Sequence, residues 1–137
     1  MTTTDILPLT ARFIREKLSG DSSGHDWWHI DRVRRNAVQI ARQEGADIFL
    51  VELSALLHDI ADWKFHGGDD TAGPRAAQTW LAQNDVDART IDQVCEIIAT
   101  VSFKGAGVPT EMTTLEGKCV QDGDRLDGRG GGPVAAV

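Results

Sequence analysis

Histidine is scarce in this chain, cysteine is scarcer, and long apolar runs, basic stripes and alternating patterns are missing. The two cysteines, Cys95 and Cys119, each fall in an apolar pattern with helical spacing. So placed, they read as small reduced core residues rather than as a disulfide or a redox pair. No stretch approaches the roughly 18–20 apolar residues that a membrane span requires. The first residues, Met1 to Asp5, lack the basic start and apolar core of a signal peptide. The expected compartment is therefore the cytoplasm, with no membrane partner.

Positive charge is also thin. Lys and Arg number 14 against 21 Asp and Glu, a net charge of −7. Beyond Arg32, Arg34 and Arg35 no basic cluster appears, and those three read as a solvated helix face. General nucleic-acid binding needs clustered cations on the phosphate backbone, so it is excluded as an expectation. A small anionic substrate stays compatible if a metal and a few local cations neutralise it. No period-two run is found, which makes the class all-α. No internal repeat appears either.

At 137 residues, 41% hydrophobic and 26% charged, the chain is one soluble domain with a single core. Ile6, Leu9, Phe13 and Ile14 predict a helix from Asp5 to about Ser19, with Gly20 to Gly24 as a loop. A second helix is expected from His25 or Trp27 to Glu44. Ile30, Val33, Ala37, Ile40 and Ala41 lie on its inner face, and Gly45 is its stop. Asp47 is the expected cap of a third helix, in which Leu50, Leu53, Leu56, Leu57 and Ile60 form an apolar stripe that runs into His58 and Asp59. After a loop over Asp62 to Asp70, Pro74 suits a first helical turn, and Ala76, Ala77, Trp80 and Leu81 supply that helix's buried side. A further helix covers about Ala88 to Val101, burying Ile91, Val94, Cys95 and Ile98. Thr113 with Glu116 three residues on reads as a capping box for the last helix, which holds Leu115, Cys119 and the acids Asp122, Asp124 and Asp127. From residue 128 the sequence turns to glycine. The expected division is a domain over 1–127 and a mobile Gly-rich tail over 128–137, read as an altered or truncated C-terminus.

The four histidines, His25, His29, His58 and His66, all fall between positions 25 and 66. Such clustering with nearby acids is a metal-site signal. A buried Asp is costly unless it is paired, hydrogen-bonded or bound to a metal, and His with Asp is a common ligand set for a divalent cation. Adjacent helical residues point about 100° apart, so His58 and Asp59 need further ligands from elsewhere in the chain. The spacing of His25 and His29 does not make a zinc-protease helix, because Asp26 rather than Glu follows His25.

His29 on one helix, His58 with Asp59 at the end of the next, and Asp124 on a late one form an ordered set that resembles the HD-domain superfamily of metal-dependent phosphohydrolases. The likeness is to its small bacterial hydrolases and runs from Gly24 to Leu126, carried by His25-Asp26-Trp27-Trp28-His29 and by Leu57-His58-Asp59-Ile60-Ala61-Asp62. The resemblance implies an HD-domain-like helical bundle of about six helices. It also implies a single divalent cation held by His29, His58, Asp59 and Asp124, with Asp122 and Asp127 as the neighbouring alternatives to Asp124. Two-metal relatives use two further histidines after the His-Asp pair, where this chain has only His66. Mixed His and carboxylate ligation favours Mn2+, with Mg2+, Fe2+, Co2+ or Zn2+ as alternatives.

The implied activity is hydrolysis of a phosphate ester or phosphoanhydride of a small phosphorylated compound, a nucleotide being favoured. Asp62, one turn after His58, matches the acid that orients or deprotonates water in some members, and Asp59 shares the catalytic assignment. His25, Lys64 and Lys104 are the candidates for binding substrate oxygens, with Arg125 as a weaker one. Trp27, Trp28 and Trp63 border the site, as core residues in preference to a stacking surface for a base. The alternative is a non-catalytic HD-like module that binds metal or nucleotide, or a fragment that has lost activity. Relatives usually carry Ala at the position of Gly123 and continue with more helix beyond the last motif, where this chain turns to glycine, so Asp124 is expected on a less firmly held helix.

Overall fold

In the computed structural model, residues 3–18, 27–60, 72–102 and 114–126 are described. They form six helices and no strand. These are α1 (Thr3–Leu18), α2 (Trp27–Glu44), α3 (Ile48–Leu57), α4 (Ala72–Gln83), α5 (Ala88–Ser102) and α6 (Leu115–Leu126). The helix bounds follow the expected ones closely, and the class is all-α. The tail over 128–137 lies outside the described residues.

Local chemistry sets several boundaries. Gly45 has a φ of 76°, and Ala46 N donates to Ala41 O at 3.0 Å, closing α2 with the six-residue return that a left-handed glycine permits. Two residues later Asp47 starts α3, its carboxylate accepting from Leu50 N at 3.2 Å. The expected box at Thr113 is corrected by one residue. Thr114 is the cap, accepting from Gly117 N at 3.0 Å. Glu116 does not fold back onto its own helix start; its Oε2 instead accepts from Asp47 N at 3.0 Å, joining the first turn of α6 to that of α3.

The third helix is the axis of the bundle. Sequence periodicity predicts one apolar stripe, but Val51, Ser54 and Ala55 are buried along with the leucines, so α3 is covered on nearly all sides by α1, α2, α5 and α6. Ser54 is fully buried, and its Oγ has no hydrogen-bond partner among the described residues. A buried unsatisfied hydroxyl costs on the order of 1 kcal/mol, and alanine is also the better helix former. Ser54→Ala is therefore expected to raise the urea midpoint of unfolding by an amount equal to about 1 kcal/mol. A lower midpoint would overturn this reading.

The first helix is tied to α4 by Phe13, whose ring stacks on Trp80 with centroids 4.0 Å apart and planes 4° from parallel. Trp80 Nε1 also donates to the fully buried Thr10 hydroxyl at 2.8 Å. On α5, Ile97 is buried in addition to the expected Ile91, Val94 and Ile98, while Cys95 is only half-buried, its thiol facing Pro74 O at 3.4 Å. Both cysteines are free thiols. Burial, and then Asp92, push the Cys95 thiol up; burial, then Glu116, Glu44 and Asp122, do the same for Cys119. Both stay protonated and unreactive at neutral pH.

The sixth helix runs antiparallel along α2, with Gly123 against Val33 and Ala37 and with Asp124 near His29. At Gly123 itself the helix is closely packed, while the glycine-rich stretch that also entered the expectation lies outside the described residues. A Cβ built there would stand 2.9 Å from Ala37 N, 3.0 Å from Ala37 Cβ and 3.0 Å from Val33 O. The missing side chain lets the two backbones touch. Asn36 Nδ2 reaches Gly123 O at 3.5 Å beside this contact.

Candidate metal centre

The packing brings three helix ends to one place. His29 lies in the first turn of α2, His58 is the C-cap of α3 with φ −64° and ψ −24°, and Asp124 is in the last turn of α6. The partial negative charge of two helix C-termini favours a cation there, and the partial positive charge of the α2 N-terminus opposes it. His29, His58 and Asp124 are buried at 1%, 3% and 7% exposure, while the Asp59 side chain keeps 14%. The carboxylate of Asp59 is thus the side of the cluster open to solvent.

The distances are uniform. His29 Nε2 is 3.6 Å from Asp59 Oδ2 and 3.5 Å from Asp124 Oδ1. His58 Nε2 is 3.8 Å from Asp59 Oδ2 and 3.5 Å from Asp124 Oδ1. One donor atom from each of His29, His58 and Asp59 lies within 4.8 Å of the others, and the two rings are 5.7 Å apart and tilted by 58°. These separations exceed the ~2.7–3.2 Å of an ordinary N–H···O bond. They approach the ~3–3.5 Å expected between donors that each stand about 2.0–2.2 Å from one ion. Two imidazoles and two carboxylates also suit a borderline or hard divalent cation. By distance and by chemistry, His29, His58 and Asp59 fit such an ion, and Asp124 Oδ1 stands 3.5 Å from both ring nitrogens.

The orientation of His58 has a definite cause. Its Nδ1 lies 2.6 Å from Ala55 O, a carbonyl that can only accept, so Nδ1 carries the hydrogen and Nε2 faces the carboxylates. Burial opposes a charged ring here, but Asp59, then Asp124, more than offset it and raise the His58 pKa from 6.5 to about 9 in the metal-free protein. A raised folded-state pKa stabilises fully below the unfolded value and fades as pH climbs through the folded one. Metal-free protein is thus expected to lose on the order of 3 kcal/mol between pH 6.5 and pH 9. Urea unfolding of EDTA-treated protein at the two pH values measures it. Equal stability at both would overturn the expectation, and a His58→Asn variant should lack this component.

Among the other expected site residues, Asp62, His25, Lys64 and Lys104 lie outside the described residues, as do His66, Trp63 and Asp127. Asp122 is exposed and faces Arg125 at 3.8 Å rather than the histidines, so Asp124 alone among the described acids of α6 joins the cluster. Arg125 is exposed. Trp27 is half-buried against the core, whereas Trp28 is 59% exposed.

One network escaped the sequence reading. Arg34 does not belong to a solvated face. Its Nη2 meets Asp31, its Nη1 meets Glu52 of α3 at 3.2 Å, and its guanidinium lies 6.0 Å from the Trp27 ring centre. Burial works against its charge, but Asp31 and Glu52 hold the pKa above the ordinary value. Asp31, 4% exposed and two residues after His29, also pairs with Arg35 at 2.8 Å. The network pins the helix bearing His29 to the helix bearing His58. Its only sequence signal was an Asp three and four residues before arginines on one helix.

The HD domain family model matches residues 27–129, a span that takes in the whole cluster. The chain belongs to the HD-domain family. HD domains bind divalent metal ions, and here His29, His58 and Asp59 lie within reach of one such ion. The chain is 38% identical over 126 residues to the uncharacterized protein YpgQ of Bacillus subtilis strain 168, covering 90% of this chain and 60% of that protein. Among solved structures it resembles B. subtilis YpgQ in complex with ADP, with a TM-score of 0.72, 32% identity, and coverage of 93% of this chain and 61% of that one. It also resembles an HD-superfamily hydrolase from Bacillus thuringiensis, with a TM-score of 0.73, 36% identity, and coverage of 93% and 60%. The HD chain described here thus spans about three fifths of the length of these relatives. No helix among the described residues is long and apolar enough to cross a membrane.

Proposed function

We propose that this HD domain is a metal-dependent phosphohydrolase that cleaves a phosphate ester or phosphoanhydride of a small phosphorylated compound, a nucleotide by preference. The observation that carries the reading is the meeting of His29, His58, Asp59 and Asp124, with each imidazole Nε2 3.5 to 3.8 Å from a carboxylate oxygen of both acids. Family membership supports hydrolysis, and the ADP bound to YpgQ supports a nucleotide.

In this reading, His29, His58, Asp59 and Asp124 hold one divalent ion, Mn2+ in preference to Mg2+, Fe2+, Co2+ or Zn2+. Such an ion, when bound, supplies Lewis acidity toward a phosphoryl oxygen and brings the pKa of its water near neutrality. The protein's own groups do the rest. Ala55 O fixes the His58 ring so that Nε2 offers its lone pair once it is deprotonated. The partly exposed Asp59 sits where solvent reaches the cluster. Asp62, four residues after His58 in sequence, takes the part of the acid that orients or deprotonates the attacking water. His25, Lys64 and Lys104 donate to phosphate oxygens as charge develops on them.

The decisive experiment combines elemental analysis with a phosphate-release assay over a panel of nucleotides and sugar phosphates, each tested with several divalent ions. About one metal per chain and release from a nucleotide support the proposal. Stoichiometric metal without turnover on any compound would replace it with a binding module.

A further inference from the structure

Three arginines gather on the outer side of α2 in a chain whose overall charge is strongly negative. Arg34, Arg35 and Arg42, with Gln39, Val38 and Glu52 of α3, line a groove of about 490 Å³. That volume is in the range of small-ligand sites, which span roughly 300–1,000 Å³. The groove is a different place from the metal cluster. At 1.5 Å of rise per residue, Arg42 stands about 20 Å along the helix from His29. The cluster does not use any of the six lining residues.

Two carboxylates face the groove or border it, Glu52 and Asp31, and both are engaged with Arg34. That engagement holds Arg34 rigidly at one wall. Asp31 also meets Arg35, but the Arg35 side chain is 72% exposed. Asp31 itself is buried but keeps Arg34 as its partner, so the solvent-exposed Arg35 head can turn to another anion without leaving that carboxylate unpaired. Arg42 is exposed on the same face, two turns further along α2. Arg35 and Arg42 therefore present two guanidinium heads across the groove, with the Gln39 amide between them. Planar, always-charged guanidinium groups match phosphate oxygens with paired donors. The single apolar lining residue, Val38, offers little for a base or a lipid chain to pack on.

We propose that this groove is a second anion site, taking a phosphate-bearing small molecule of the pyrophosphate class through Arg35, Arg42 and Gln39, with Arg34 as its fixed wall. The anion can arrive as free pyrophosphate or as the phosphate tail of a nucleotide. The inference stands apart from the proposed hydrolysis, because it holds whether or not the metal cluster turns over substrate.

Isothermal titration of the full chain tests it, using EDTA-treated Asp59→Ala protein so that the metal cluster is disabled. Sodium pyrophosphate and ADP are the two probes. Both are expected to bind, and binding should weaken as salt is raised. An added Arg35→Gln/Arg42→Gln pair should weaken pyrophosphate binding at least tenfold. Equal affinity for the two probes assigns the site to phosphate alone, and a tighter ADP whose binding also weakens in the double arginine variant assigns it to a nucleotide tail; either supports the groove. No pyrophosphate binding, or binding unchanged by the double arginine replacement, would overturn it. The arginine variant's melting temperature, within about 2 °C of its parent, shows that the loss of binding is not loss of fold. If it melts lower, Arg42→Gln alone, at a position engaged in no ion pair with Asp31 or Glu52, must still weaken pyrophosphate binding.

Discussion

Asp59→Ala protein is expected to bind no stoichiometric Mn2+ and to release phosphate at least about a thousandfold more slowly than the parent chain. The size follows from the role proposed for the cluster. Positioned positive charge at a phosphoryl centre is worth several kcal/mol, and each 1.36 kcal/mol is a factor of ten in rate. Asp59 is the right residue to remove because it is the least buried of the four, with 14% of its side chain exposed. Its loss opens no cavity in the core, so the fold should survive and the melting curve should stay cooperative. Removing it also takes away one of the two carboxylates that hold the His58 proton, so the His58 pKa should fall from about 9 toward its ordinary value. That shift, read by NMR titration of the ring, separates loss of the charge cluster from a general collapse of the site. Wild-type turnover by the variant in saturating Mn2+ would end the metal-hydrolysis reading. An unfolded variant would instead show Asp59 to be structural, and Asp59→Asn, with the same shape and no charge, would then carry the test.

The periodic core faces and the punctuation around α2 and α3 were legible because each is a local event. Gly45 needs only its own backbone to end a helix, and Asp47 needs only the amide three residues on. The order of His29, His58 with Asp59, and Asp124 was legible in another way, as a pattern whose members only the fold brings together. What stayed hidden depends on partners distant in the chain. Glu116 fitted a local capping box equally well, yet its carboxylate is drawn 69 positions back to Asp47 because α6 packs beside the start of α3. Arg34 has a polar neighbourhood in sequence, and nothing local shows that Glu52 will face it across the α2–α3 interface. Asp31 sits among arginines in sequence, and nothing local shows that it is buried. The all-round burial of α3 was understated because periodicity reports one face, while Ser54 and Ala55 are small enough to be covered without an apolar signal.

Gly123→Ala should destabilise the protein by about 1–3 kcal/mol, the usual cost of forcing extra atoms into a filled interface. A single methyl would be harmless on an exposed helix, and alanine is the better helix former by about 1 kcal/mol. The direction here is set by the neighbours. The new Cβ meets Ala37 N at 2.9 Å and Val33 O at 3.0 Å, and backbone atoms inside a helix cannot swing aside as a side chain would. The helices must separate, and the consequence reaches the cluster at once. Asp124 is the next residue, and its Oδ1 stands 3.5 Å from both histidine Nε2 atoms. Moving α6 outward by a few tenths of an ångström lengthens both distances together, and misplaced supporting contacts typically weaken a metal by about 10–100-fold. Denaturant unfolding of the metal-free protein reads the first effect and Mn2+ titration reads the second. Ala37→Gly should recover only part of the lost stability in the Gly123→Ala background, because it relieves the Cβ contact and leaves the backbone contacts in place. If Gly123→Ala were as stable as the parent and bound Mn2+ equally well, α6 would not be packed on α2 through bare backbone, and the support described for Asp124 would be wrong.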